Sequence, residues 1–283
     1  MIDTPRPLSS PATPPRWGSR LLSVHAWSTY VFLYAPIVLL VVFSFTKDTF
    51  GVRWTGFTID WYIKLFNDQR MMNAAFNTLW VAAISTILST ILGTLLALAM
   101  ERYRFRGRDG LDALLYMPIV IPEIVMALAL LAFFSFSFGI IQALTGVTLR
   151  MNIWTVIVSH VAFCISFVTV VVRASLKGFD VRLEEAAADL GADTRTIFWR
   201  ITLPLILPGV IGGALLAFTL SLDDFVISFF TVGPGTNLLP IEVYGRVKRA
   251  ITPSINAIST IMLVVSMLLV FLSQFMQRRA DER

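Results

Sequence analysis

The sequence is short of charge, cysteine and histidine. Only 14% of its 283 residues are Asp, Glu, Lys or Arg, where a soluble globular chain carries roughly 25%. That deficit excludes an ordinary water-soluble enzyme, a disordered chain and a nucleic-acid binder, each of which depends on a charged, solvated surface. One cysteine, Cys164, excludes an intramolecular disulfide framework and a thiolate zinc site. Two histidines far apart, His25 and His160, form no cluster, so no metal site is expected. A phosphate-binding loop of the G-x-x-x-x-G-K-[ST] type is missing. Gly212-Gly213 falls inside an apolar run, where small residues let two helices approach closely. His160 and Cys164 stand one helical turn apart with no sequence neighbour to orient or charge them, and they read as a packed helix face.

What is abundant is hydrocarbon: 56% of residues are apolar and the mean hydropathy is +0.75. A bilayer core about 30 Å thick is crossed by about 20 apolar helical residues. Six stretches qualify, at 26–46, 77–100, 116–138, 153–172, 205–230 and 257–276. The fifth is continuous to Leu222 and then interrupted by Asp223 and Asp224. No connecting segment alternates as a barrel strand does. The expected fold is an all-α membrane protein with six transmembrane helices. The first stretch is too long for a signal-peptide core and lacks a small-residue cleavage site after it. Residues 1–25, with five prolines and three arginines, are expected to be a flexible tail, and 26–283 a transmembrane domain.

Basic residues orient the helices. With the N-terminus inside, the inner segments hold 15 of the 23 basic residues, including Arg6, Arg102, Arg104, Arg106, Arg108, Arg173, Arg195, Arg200 and Arg283. Both termini are therefore expected in the cytoplasm. The net charge of +5 reports this topology rather than a nucleic-acid partner.

The inner loop between the fourth and fifth stretches, 174–204, is the most informative segment. Its first half, around Glu184-Glu185-Ala186-Ala187-Ala188, is a strong helix former. Gly191 suits a left-handed helix stop, and Asp193 or Thr194 can cap a second short helix running to Arg200. Pro204 is expected to end that segment and open the next span. Ile197, Phe198, Trp199 and Ile201 are too apolar to stay wet. Two short helices joined by a glycine bend make a knob that fits a partner's groove.

Glu185-Ala186-Ala187, then three residues, Gly191, then nine residues and Ile201-x-Leu203-Pro204 resemble the EAA motif of ABC importer permeases at every position. The Ser221–Ser228 segment, Gly233-Pro234-Gly235, Leu239-Pro240-Ile241, Thr252–Ala257 and Tyr103–Gly107 are similar to spermidine/putrescine permeases of the second-permease type. The similarity runs from about Trp27 to the end. It implies a MetI-like fold of the type I importers, in a bacterial inner membrane. It also implies a heterodimer with a second permease, two ATPase subunits and a periplasmic polyamine-binding protein. The chain itself would be a pore subunit and no enzyme, without a cofactor, ATP-Mg being bound by the ATPase. Glu184, Glu185, Ala186, Ala187, Gly191, Ile201, Leu203 and Pro204 would couple to the ATPase.

A polycation in transit calls for separated acids and aromatic faces. A carboxylate at mid-membrane depth costs roughly 2.5–3.5 kcal/mol on insertion scales, so it is seldom there without a function. Glu123 follows Pro118 and Pro122, where a kink frees carbonyls; its plain reading is a residue near the cytoplasmic interface. Asp223 and Asp224 come late in the fifth stretch. Adjacent helical residues point about 100° apart, so either the helix breaks near Ser221 or one aspartate serves structure. Polyamine permeases use acids at this place, which favours Asp223 and Asp224 as pathway residues with Ser221 beside them. Trp61 in the first outer loop is the aromatic candidate, through its attraction for cations. The competing functions are an ABC permease for another cationic solute and an ion-coupled secondary carrier.

Overall fold

The computed structural model describes residues 16–49, 53–249 and 252–281. Arg6 and Arg283 lie outside them, as does the tail expected at 1–25 up to residue 15. Among the described residues the chain forms helices and a single isolated bridge between Thr46 and Phe57. In order these are α1 (Arg16–Phe43), α2 (Asp60–Phe66), α3 (Gln69–Arg102), α4 (Arg108–Val120), α5 (Glu123–Thr145) and α6 (Ile153–Lys177). There follow α7 (Arg182–Asp189), α8 (Thr194–Ile197), α9 (Leu203–Asp223), α10 (Val226–Thr231), α11 (Leu239–Val247) and α12 (Pro253–Asp281).

Five of these are long and apolar enough to cross a bilayer, namely α1, α3, α5, α6 and the run Thr194–Asp223. The apolar part described for α12, Pro253–Leu268, is shorter, although the helix continues to Asp281. Helices are the natural answer in hydrocarbon, because every backbone donor and acceptor is satisfied within the segment.

Several boundaries differ from the sequence reading. Helix α1 begins at Arg16, so residues 16–25 are helix rather than tail, and it ends at Phe43 rather than residue 46. Helix α6 continues to Lys177, so the inner loop begins at Gly178 rather than residue 174. The third stretch is two helices. Pro122 has no amide hydrogen to donate, and its ring pushes Ile121 out of the helical region to φ −74°, ψ 138°. Helix α4 stops at Val120, and Glu123 opens α5 instead of sitting at a kink. The fifth stretch breaks after Asp223, two residues later than expected.

Helices α3, α6 and α9 form the core. Their contact is a sandwich: Val168 of α6 stands between Gly93 of α3 and Gly213 of α9. A Cβ on Gly93 would lie 2.8 Å from the Val168 side chain, and one on Gly213 would lie 3.3 Å away. Ala97, Cys164, Val172, Ile206 and Ala217 close around this point. Gly213 of the Gly212-Gly213 pair is a close-approach residue, and Gly209 one turn earlier packs against Ser175. Cys164 is packed as expected. In contrast, α1 is exposed along almost its whole length and leans on α12.

Two charged clasps hold the ends of the bundle. At the inner-loop end, Arg173 of α6 binds Glu101 of α3 (2.8 Å) and Asp112 of α4. At the far end, Asp68 caps α3 by accepting from the Met71 amide (3.1 Å) and pairs with Arg246 of α11 (2.7 Å). Arg246 also binds the buried Glu242 (2.9 Å), which accepts from Arg70 (2.9 Å) and Asn237 (3.0 Å). Burial alone would raise both carboxyls. The hydrogen bond and charge of Arg246, joined at Glu242 by Asn237 and Arg70, outweigh it and hold both below the usual carboxylate range.

Two outcomes are expected. Gly93→Ala overpacks the core and lowers stability by about 1–3 kcal/mol, more than Gly213→Ala, measured by thermal unfolding in detergent. Since Asp68 and Glu242 have folded-state pKa values below their ordinary 3.8 and 4.5, their contribution is complete above those values and is lost as pH falls below them. Amide exchange in α11 should therefore accelerate on acidification below the ordinary carboxylate range, and Arg246→Met should flatten that dependence.

Candidate functional site: two interrupted helices that meet

The break between α4 and α5 lies against the break between α9 and α10. Glu123, the first residue of α5, brings its carboxyl within hydrogen-bonding reach of Asp224, the residue that ends α9. Asp224 is buried and acts as a cap: the amides of Ile227 (3.3 Å) and Ser228 (2.8 Å) donate to its oxygens and start α10. His160 of α6 stands 3.2 Å from the same carboxyl through Nε2, which also meets Ser228 Oγ at 3.0 Å. Its Nδ1 meets Ser221 Oγ at 2.6 Å, and Ser221 meets Ser85 Oγ of α3 at 2.9 Å. A buried polar ladder thus ties α3, α6, α9 and α10 together, with Glu123 of α5 at its edge.

These positions settle how the two aspartates divide. The helix is broken, and Asp224 serves the structure, accepting backbone donors and facing His160. Asp223 precedes the break and is exposed, as is Glu123. The expected separation of the acids is corrected: three carboxyls gather at one place. Glu123, beside Asp224, also lies away from the Arg173 clasp at the inner-loop end. His160, level with Asp224, is about 20 Å along α6 from Arg173 of the inner clasp, at about 1.5 Å per residue. Carboxyls this close repel one another unless a proton or a cation lies between them. The last carbonyls of α4 and α9 and the first amides of α5 and α10 face the same breaks, so their partial charges offset one another. Chemically the arrangement is a cluster of three carboxyls, Asp224 buried and Asp223 and Glu123 exposed.

Ser221 is engaged in the ladder and positions the break. Trp61 is occupied within its own loop: its indole N–H donates to the Thr46 carbonyl (2.7 Å), and Lys64 covers its ring at 4.4 Å. Tyr244 of α11 packs its ring 4.6 Å from that of Phe225, next to Asp224 in sequence, and Lys248 covers it at 4.7 Å, as Lys64 covers Trp61.

The inner loop folds as α7, a turn and α8. The turn is a Schellman stop: Gly191 takes φ +86°, its amide reaches the Ala188 carbonyl (2.9 Å), and the Ala192 amide reaches Ala187 (3.0 Å). Asp193 caps α8 through the Thr196 amide (3.4 Å). Pro204 does not end the segment. Residues Phe198–Thr202 form a π-turn, with the Leu203 amide reaching back to Phe198, and the helix runs on into α9. Wider winding accommodates a proline that offers no donor to the preceding turn. Glu185 and Ala186 are exposed, as are Leu190 (89%) and Trp199 (59%). Glu184 is turned inward, where Arg102 and Thr202 both donate to it, so it latches the knob to the bundle instead of presenting a charge outward.

The profile of the family described as "Binding-protein-dependent transport system inner membrane component" matches residues 89–283. The chain belongs to this family. Within the family, it is 44% identical over 250 residues to the spermidine/putrescine transport system permease protein PotC of Haemophilus influenzae, covering 88% of this chain and 93% of that protein. It is 38% identical over 255 residues to the putrescine transport system permease protein PotI of Escherichia coli K12, covering 90% and 89%. A crystal structure of a bacterial ABC transporter that imports the acidic polysaccharide alginate shares its fold, with a TM-score of 0.74 at 21% identity over 93% of this chain and 95% of that one. The fold is thus the MetI-like one of ABC importer permeases, and the chain is a multi-pass membrane protein. The family match includes the EAA loop and Asp223–Asp224 but begins after Trp61 and Ser85.

Sequence reasoning missed His160, Ser85 and Ser228. The signal for His160 was present: an ionisable side chain within an apolar span is itself a reason to look for a partner. Asp224→Ala should cost about 1–3 kcal/mol of stability by stranding buried amides and His160, read as a lower unfolding midpoint in detergent. Asp223→Asn, at an exposed position, should stay within about 0.5 kcal/mol of the parent.

Proposed function

We propose that the chain is one of two transmembrane subunits of an ATP-driven importer that carries putrescine or spermidine into a bacterial cytoplasm. The observation that carries this reading is the meeting of two helix breaks at Glu123, Asp223 and Asp224. Exposed acids held on a fixed buried carboxylate offer a flexible polycation a brief foothold, and a brief one is what transport requires, since a site that binds tightly cannot release. The anionic cargo of the alginate transporter would be repelled there. The polyamine names of the relatives at 44% and 38% identity support the same cargo.

In this reading the protein lies in the inner membrane with both termini in the cytoplasm. It pairs with a second permease and receives substrate from a periplasmic polyamine-binding protein. The chain is a pore subunit, not an enzyme, and holds no cofactor of its own; ATP-Mg binds to two separate ATPase subunits. Their movement enters through the knob. Glu185, Ala186 and Gly191 meet the ATPase, while Glu184 and Thr202 pass the motion to α9 and Ile201, Leu203 and Pro204 shape the π-turn. Asp223 and Glu123 touch the cargo, and Asp224 and Ser221 hold the break.

The test is uptake of radiolabelled putrescine and spermidine by the complete complex in proteoliposomes. ATP-dependent uptake that ignores an uncoupler is expected, and uptake driven by an ion gradient without ATP overturns the reading. Glu185→Lys should abolish uptake with the chain still inserted, by breaking the ATPase contact. Asp223→Asn should reduce uptake about tenfold while co-purification of the ATPase is unchanged, consistent with the loss of one charge contact worth about 1.4 kcal/mol. Equal loss of assembly would make Asp223 structural.

A further inference from the structure

At the inner-loop end, residues 103–107 turn the chain from α3 into α4. The neighbouring arginines are already engaged: Arg102 with Glu184, and Arg173 with Glu101 and Asp112. Arg104, Arg106 and Arg108 are different. None of their guanidinium groups forms an ion pair with any described residue, although three cations within five positions repel one another. Together with Phe105, Gly107 and Asp109 they line a hollow of about 470 Å³. Its lining sets three guanidinium groups against the single carboxyl of Asp109. Helix α4 starts at the same hollow, with Gly107 as its N-cap at φ +90° and no side chain capping its first amides. The Arg108 amide is held by the Phe105 carbonyl (3.3 Å), so the three guanidinium groups are the charged donors of the hollow.

The flanks of the hollow are apolar. Tyr103 and Phe105 are exposed beside the arginines, and Leu114, Met117 and Val120 are exposed farther along α4. A soluble anion would satisfy the cations and leave this surface bare. A molecule with an anionic phosphodiester and two acyl chains satisfies both, with its phosphate among the arginines and its chains along α4 towards the bilayer interior.

We propose that Arg104, Arg106 and Arg108 form a binding site for the headgroup of an anionic phospholipid of the inner leaflet, phosphatidylglycerol being the simplest. The site steadies the start of α4 and so the base of the helix whose other end is the break at Glu123. It is independent of what the importer carries.

The experiment is native mass spectrometry of the complete complex, purified in mild detergent and supplied with phosphatidylglycerol or phosphatidylcholine at equal concentration. Phosphatidylglycerol should be retained on this chain about fivefold or more over phosphatidylcholine, as expected for a basic pocket on the cytoplasmic side. The triple variant R104Q/R106Q/R108Q should bring the two lipids to parity, and millimolar inorganic phosphate should leave the bound lipid in place. Equal retention of both lipids by the parent overturns the proposal. So does undiminished preference in the triple variant, or displacement by phosphate, which would mark a site for a soluble anion. Should the triple variant fail to insert, R106Q alone decides: a partial loss of preference supports the site, and no loss overturns it.

Discussion

Asp224 lies where a carboxylate is costly to keep, buried in an apolar bundle at the end away from the α7–α8 knob. It persists there because partners surround it: two backbone amides, His160, and Ser228 through that histidine. Each contact would be modest in water, but the low dielectric strengthens all of them and makes any vacancy expensive. The break after α9, the start of α10 and the position of Asp223 all follow from this one buried pairing. Without it the apolar run from Leu203 onward would have every reason to continue as a regular helix.

The second break has a different cause. Pro122 interrupts α4 and α5 through its missing amide hydrogen and the crowding of its ring, and the outcome is a glutamate on the first turn of α5. A proline-made break and a carboxylate-made break are thus brought face to face. Irregular backbone at this depth is tolerated only where it is buried in protein or lines a cavity. Two such breaks in contact mark the place in the bundle where a polar solute can be accommodated.

The path from the inner loop to that place is a single rod. From Thr194 to Asp223 the chain is helical throughout, about 45 Å at about 1.5 Å per residue. It carries the π-turn at Phe198–Thr202, adjoining the Glu184–Thr202 latch, and Pro208 inside α9. Close packing of Val168 between Gly93 and Gly213 couples this rod to α3 and α6. A push on the knob therefore moves three core helices together rather than bending one, and the buried ladder sits at the far end of that lever.

Hydropathy alone determined that the chain spans a membrane as a set of helices, because only a backbone bonded within itself survives in hydrocarbon. The EAA spacing was legible for a similar reason: its Schellman turn and caps are local, set by Gly191 and Asp193 within a few residues. The acids were legible as a cost, since Glu123, Asp223 and Asp224 stand out against an apolar background. Their roles were not. That Asp224 is a buried cap and Asp223 an exposed charge depends on His160, some sixty residues earlier, and on Ser85 of a third helix. That Glu184 latches inward depends on Arg102, that Trp61 is occupied depends on Thr46, and that Glu123 meets Asp224 depends on how α5 packs on α10. Side-chain partnership across helices is decided by packing register, which pairwise spacing along one chain does not encode. Composition and local spacing specified the helices and the knob; only tertiary packing decided which carboxyl is buried as a cap and which stays exposed.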